Sequence, residues 1–351
     1  MRDVAIVSFA QSASKRRELE HNEVEILMPV VREAVERSGI PKPELGFICS
    51  GSSDYLAGQS FSFVTGLDAV GAWPPVCESH VEMDGAFALY EAWVKIQTGQ
   101  ADSALVYGFG KSSMGDLPEV LALQLDPYVV TPLWPDAVSV AALQARLCLE
   151  RGVLCERDMA EVAARDRRHA LANPKAQVKG EFEVGKLLAE PFLVAPLRKH
   201  DCAPISDGAA ALVIAAGDLA RRVCPRPAWI AGFDHRVEPQ DLGVRDLTRS
   251  VSTEIAAERA GVGRGAVDVA ELYGPFTHQE ILVTRALGLS EGTTLNPSGG
   301  ALAANPVMAA GLIRFGEAAA RIWDGTAGRA VAHATSGPCL QQNLVAVLEA
   351  R

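Results

Sequence analysis

The sequence predicts an α/β fold built from two copies of one unit. Three observations carry that expectation: strand and helix patterns alternate, the order β-α-β-α-β occurs twice, and a helical stretch separates the copies. In the first copy, residues 4–9 alternate and are β-rich, residues 22–38 are amphipathic at helical period, and residues 45–49 form a short apolar strand. The same order returns at residues 229–233, 246–260 and 269–273, with Gly261 as the expected helix stop. Both copies carry A-x-E-R-x-G before the second strand, once ending at Gly39 and once at Gly261. Residues 83–110 and 308–337 then match each other, each running helix, glycine turn, buried strand, glycine. Self-similarity this far apart marks a duplicated domain, since a solenoid repeats every 20–50 residues or so.

Residues 206–220 read as a strand and helix closing the first copy. The expected division is an N-terminal half of residues 1–110 and 196–225, an inserted region of residues 111–195, and a C-terminal half of residues 226–351. The insert, helical at 137–151 and 156–172, fits a loop region that contacts substrate. Duplication makes residues 82–85 and 305–309 pseudo-symmetric helix starts. Both can aim unpaired N–H groups at one pocket suited to an oxyanion, or can simply be well-capped packing helices.

Composition narrows the function classes. The chain of 351 residues is 48% hydrophobic with a formal charge of −10, which argues against nucleic acid. No apolar run approaches the roughly 20 residues of a membrane span, and residues 1–14 lack the pattern of a signal peptide. A cytoplasmic protein is expected. The seven cysteines are scattered without metal-like pairing, implying a reducing compartment and no metal site.

Three motifs are specific enough to name a family. HDCAPISDGAAALVIA at 200–215, NPSGGALAANPVMAAG at 296–311 and RDRRHALANPKAQVKG at 165–180 resemble thiolases of the sterol-carrier-protein type, the branch that includes lipid-transfer proteins. The resemblance covers essentially the whole chain and implies a thiolase fold, a layered αβαβα sandwich of duplicated βαβαβ halves. In that family a cysteine opens the first buried helix and attacks the thioester. Matching Gly85, Ala88 and Leu89 to the family pattern puts Glu82 at that position, or Met83 after a one-residue shift, and neither forms an acyl-thioester. The nearby Cys77 reads as a buried small hydrophobe. The family's H-x-x-x-F becomes Tyr273 with Phe276, its G-H-P becomes Ala304-Asn305-Pro306, and its C-terminal element becomes HATSGPC, with His333 or Ala334 at the key position.

These losses are similar to those of a branch that cleaves steroid side-chain β-hydroxyacyl-CoA thioesters by a retro-aldol reaction, working with a small OB-fold, often zinc-ribbon, partner. The resemblance implies an aldol-lyase with no covalent acyl-enzyme and no cofactor beyond the CoA of its substrate. A homodimer, or a heterocomplex with such a partner, is expected. Two other readings stay open: a catalytically silent subunit scaffolding an active partner, and an acyl-CoA or lipid binder without turnover.

By position, Tyr273 is the first candidate for base or acid, with His278 or Glu82 as a relay that would ease its reference pKa of about 10. The alternative is a pocket-lining aromatic. Asn305 would donate to the thioester oxygen or else be a turn residue, and His333 would be an acid-base group or a strand-end histidine satisfied by backbone. In SHVEMDGA, Asp84 reads as an N-cap. Residues 52–58 read as a shaping or dimer-contact loop. For the CoA phosphates, Lys175, Lys179 and Arg168 are candidates, along with Arg165 and Arg167.

Overall fold

The computed structural model describes residues 2–351. Twelve strands are present among them: β1 (Val4–Gln11), β2 (Phe47–Gly51), β3 (Glu78–Val81), β4 (Ser103–Lys111), β5 (Phe192–Val194), β6 (Leu197–Arg198), β7 (Asp207–Ala216), β8 (Ala228–Val237), β9 (Val269–Glu271), β10 (Thr294–Leu295), β11 (Arg329–Ser336) and β12 (Gln342–Glu349). The helices are α1 (Glu23–Ser38), α2 (Asp54–Ala57), α3 (Phe63–Val70), α4 (Gly85–Gln97), α5 (Leu117–Leu123), α6 (Ala137–Glu150), α7 (Glu156–His169), α8 (Val184–Leu188), α9 (Gly217–Val223), α10 (Val251–Ala260), α11 (Thr277–Ala286), α12 (Gly300–Ala303) and α13 (Ala310–Trp323).

Ten strands form one sheet in the order β3-β2-β4-β7-β1-β8-β12-β11-β9-β10. That order is a mirror. On one side of the β1–β8 seam, β2 pairs in parallel with β3 and β4; on the other, β9 pairs in parallel with β10 and β11. The seam is narrow, joining Ala5 to Trp229 and Ile6 to Ala228.

Three apolar clusters give the layering. The central one takes Ala86, Leu89 and Ala92 of α4 and Leu312, Phe315 and Ala319 of α13, together with inward residues from both sides of the seam. A second packs α1 and α9 on the outer face of the first five strands, and a third packs α6, α10 and α11 on the outer face of the last five. The molecule is therefore helix, sheet, helix, sheet, helix, which is the α/β sandwich the duplication predicts.

Local chemistry sets the element ends. Asn22 and Glu25 form a reciprocal capping box at the start of α1, and Gly39 ends it at φ 65°. Helix α10 ends at Gly261 as expected but starts at Val251, because the Asp246 carboxylate takes the Thr248 N–H and hydroxyl and folds the preceding residues into a turn. Strand β12 and helix α3 have no counterpart in the sequence reading. No helix is long and apolar enough to cross a membrane among the described residues.

Candidate active site

Helices α4 and α13 begin side by side, and one carboxylate serves both. Asp84 caps α4 by accepting the Ala86 N–H at 2.8 Å, and the same oxygen accepts the Leu312 N–H at 2.9 Å. Its other oxygen accepts the Gly311 N–H at 2.9 Å. Gly311 is required there, since a Cβ would lie 2.5 Å from the Asp84 carboxylate. Burial pushes the Asp84 carboxyl up while its three N–H donors and Arg314 pull it down. The remaining donors are also spent: Gly85 N–H donates to the Met308 carbonyl at 2.8 Å, and the Ala309 and Ala310 N–H groups donate to the Pro306 carbonyl. The expectation of unpaired N–H groups at both helix starts is thus corrected, because Asp84 supplies internally the negative charge that the two dipoles attract.

Next to this junction Met308 adopts φ 77°, a left-handed conformation for a residue with a side chain. The turn holding it presses on β4, where a Cβ on Gly110 would meet the Val307 oxygen at 1.8 Å.

Glu82 lies between β3 and α4 and is half-exposed. One oxygen accepts the Asp54 N–H at 2.6 Å and the other faces His80 Nε2 at 3.3 Å. His80 Nδ1 meets Ser50 Oγ at 3.1 Å, and its ring stacks on Phe63 at 5.0 Å between centroids. Asp54 in turn accepts the Phe61 and Ser62 N–H groups. A chain Ser50, His80, Glu82, Asp54 therefore runs across the ends of β2 and β3. The sequence alone does not pair His80, because its contact with Ser50 depends on the β2–β3 register, in which Ser50 faces His80.

Tyr273 follows β9, donates its N–H to the His333 carbonyl at 3.2 Å, and is buried. Among the described residues no hydrogen bond reaches its hydroxyl. Burial pushes the phenol up, the neighbouring Asp84 charge adds to this, and Arg314 opposes it. Burial thus works against a depressed value, and the relay through His278 is not built. His278 is fully buried with Nε2 3.3 Å from Gln144 Oε1 and Nδ1 without a partner, and burial lowers its pKa to about 3. His333 faces Asn343 Oδ1 at 2.9 Å across β11 and β12, and burial lowers it to about 4. Both rings are neutral near pH 7, so neither is a ready acid. Asn305 donates its backbone N–H to Ser206 Oγ at 3.0 Å, while its side-chain oxygen is buried with no partner.

The basic candidates disperse. Arg168 is exposed, and Lys179 is exposed with Nζ 3.3 Å from the Asn173 carbonyl. Lys175 lines a cavity of about 250 Å³ with Arg37, Glu33 and Glu317. Arg165 is not available to phosphate, because it is ion-paired with Asp166 and Glu280, and Asn296 completes that buried cluster. Arg167 lies over the Phe182 ring at 5.0 Å. All seven cysteines are free, and Cys77 is exposed rather than buried, because it precedes β3 outside the core.

No family model matches the sequence. Subunit BbsB of benzoylsuccinyl-CoA thiolase from Thauera aromatica is 27% identical over 73% of this chain and 68% of its own length. An acetyl-CoA acetyltransferase from Methanothermobacter thermautotrophicus is 26% identical over 90% of each chain. The solved structure "Ltp2-ChsH2(DUF35) aldolase" superposes with a TM-score of 0.82 over 99% of this chain and 98% of that one, at 20% identity. The chain has a thiolase-like fold. Human sterol carrier protein 2 is also similar, 25% identical over 66% of the thiolase-like chain, which spans 50% of that relative. In this thiolase-like fold Glu82, just ahead of α4, stands where the resemblance places sulfur, and Asn305 and Tyr273 stand on the pseudo-symmetric side.

Proposed function

We propose that the protein is an aldol-lyase that cleaves a β-hydroxyacyl-CoA thioester, a steroid side-chain ester by resemblance, without a covalent acyl-enzyme. What supports this reading is the carboxylate of Glu82, backed by His80, at the position where the sequence resemblance puts a thiolase's nucleophile. Glu82 takes the β-hydroxyl proton. The Cα–Cβ bond breaks as the ketone C=O forms, and its electron pair becomes the thioester enolate. The Asn305 amide donates to the enolate oxygen, and the protonated Tyr273 phenol returns a proton to Cα. The phenol stays protonated, so Tyr273 is assigned as the acid, and the half-exposed carboxylate of Glu82 as the base.

The solved structure "Ltp2-ChsH2(DUF35) aldolase" joins two different proteins, and this supports a heterocomplex with a small partner, expected to be an OB-fold protein, for the present chain. The mirrored strand order supports the division into halves 1–110 with 196–225 and 226–351 around the insert 111–195. Seven free thiols support a cytoplasmic setting. The second reading, a silent scaffolding subunit, draws on one observation: Asp84 already holds the helix N–H groups that an oxyanion would use.

The test is to mix the chain, alone and co-expressed with a small OB-fold zinc-ribbon protein, with β-hydroxyacyl-CoA esters. Ketone and shortened CoA ester in equal amounts are expected. Product that survives Glu82→Gln and Tyr273→Phe together, or no product in either format, would overturn the lyase reading and leave the scaffold.

A further inference from the structure

Glu82 lies between β3 and α4 with 46% of its side chain exposed, so packing alone does not fix its several rotatable bonds. A general base has to be held within about 0.5 Å of its working geometry. Two contacts supply the hold: the Asp54 N–H donates to one oxygen at 2.6 Å, and His80 Nε2 lies 3.3 Å from the other. A carboxylate offers roughly four lone-pair positions, so room remains for a substrate hydroxyl.

The histidine is itself held. Phe63 stacks on its ring with 24° between the planes, and Ser50 Oγ meets Nδ1 at 3.1 Å. Ser50 is 0% exposed and fixed by the sheet, since β2 runs between β3 and β4 and places it opposite His80 on the one and Tyr107 on the other. The next residue, Gly51, packs so tightly on the start of α4 that a Cβ there would meet the Gly85 nitrogen at 2.4 Å. A line of contacts thus runs from the closed interior of the sheet, through an imidazole, to the half-exposed carboxylate.

The partners decide which ring nitrogen carries the proton. An ionised carboxylate only accepts, so Nε2 must donate to Glu82, and the Nδ1 of a neutral ring is then bare and must accept. A backbone carbonyl or a carboxylate at Nδ1 would select the opposite tautomer, whereas a hydroxyl can donate. Ser50 therefore suits a ring that presents Nε2–H to Glu82. No proton relay through the ring is required, because the half-exposed Glu82 can return its proton to water directly.

We propose that Ser50 is a positioning residue of the site: its hydroxyl donates to His80 Nδ1, holds the imidazole as the Nε2–H tautomer, and through it aims the Glu82 carboxylate at the β-hydroxyl of the substrate. This role rests on the lyase reading above.

The experiment measures turnover of a β-hydroxyacyl-CoA by the full chain, alone and with the OB-fold partner, together with ring-nitrogen NMR spectra of histidine-labelled protein. Ser50→Ala should lower kcat about five-fold, the worth of one hydrogen bond, with KM kept. His80→Ala should lower kcat about ten- to hundred-fold. His80→Gln, whose amide can still donate to Glu82, should recover most of that loss, which it would not do for a histidine that carried protons. Adding Ser50→Ala to His80→Ala should cost nothing further, because the hydroxyl acts only through the ring; a purely structural serine would cost as much in either background. The ring signals that vanish in His80→Gln should show a protonated Nε2 and a bare Nδ1 in the wild type, and mixed tautomers in Ser50→Ala. Wild-type kcat in Ser50→Ala, an additive loss in the double variant, or a proton on Nδ1 of the wild-type ring overturns this role and leaves the lyase reading standing. Absence of product from the wild type in both formats removes the lyase reading and the role of Ser50 together.

Discussion

In the proposed reaction Tyr273 and Glu82 would divide the proton work by environment. The phenol is buried beside Asp84 and held protonated, whereas the carboxylate is half-exposed and faces a histidine. Tyr273→Phe removes one oxygen from a packed site, so turnover should fall about a hundred-fold or more with little change in melting temperature; a loss below about three-fold would take Tyr273 out of the chemistry. Iodoacetamide should modify Cys77 and Cys155, the two exposed thiols, and leave activity intact. Burial pushes the Cys148 thiol up to about 11 and those of Cys202 and Cys339 to about 12, which keeps them unreactive. Activity lost in step with one cysteine adduct would restore covalent chemistry. At this scale the sequence is informative where a motif fixes position: its motifs single out Glu82, Tyr273 and Asn305 as candidates. It was silent on charge state. Nothing in the string HATSGPC or LYGPF says that a histidine or phenol will be desolvated.

At the scale of elements, helices and their stops could be read from capping residues such as Asn22, Gly39 and Gly261, because those signals are local. The double cap could not. Asp84 looks like an ordinary N-cap, and its second partner is 227 residues away in the chain. The cluster of Arg165, Asp166, Glu280 and Asn296 escaped for the same reason, since Arg165 reads as one more surface charge until α7 docks on α11. Both clusters predict large penalties. Arg165→Ala leaves two carboxylates buried without their cation and should cost about 3–5 kcal/mol in denaturant unfolding. Asp84→Ala strands three buried N–H groups, at about 1–3 kcal/mol each before water or backbone relaxation relieves any of them. A loss under about 1 kcal/mol for either would mean that solvent already reaches the cluster.

For the molecule as a whole, the two buried histidines make stability depend on pH. His278 and His333 titrate near 3 and 4 when folded and near 6.5 when unfolded. Their contribution is present above about pH 6.5, and it is lost as pH falls toward the folded values, because the unfolded chain takes up protons that the native one refuses. At pH 5 each should have forfeited about 2 kcal/mol. Chemical denaturation from pH 7 to 5 measures this, and His278→Gln should remove roughly half of the slope; an unaltered slope would assign the effect to other groups.

The shared carboxylate also orders events in time. A ribosome that has released only the first five strands has made Asp84 and α4, yet Gly311 and Leu312 are still to be synthesised. The first start site stays half-tethered until the last third of the polypeptide arrives and docks. A nascent or clipped chain ending before α13 would therefore hold an acidic group in an apolar layer with most of its donors missing, a natural target for chaperones and proteases.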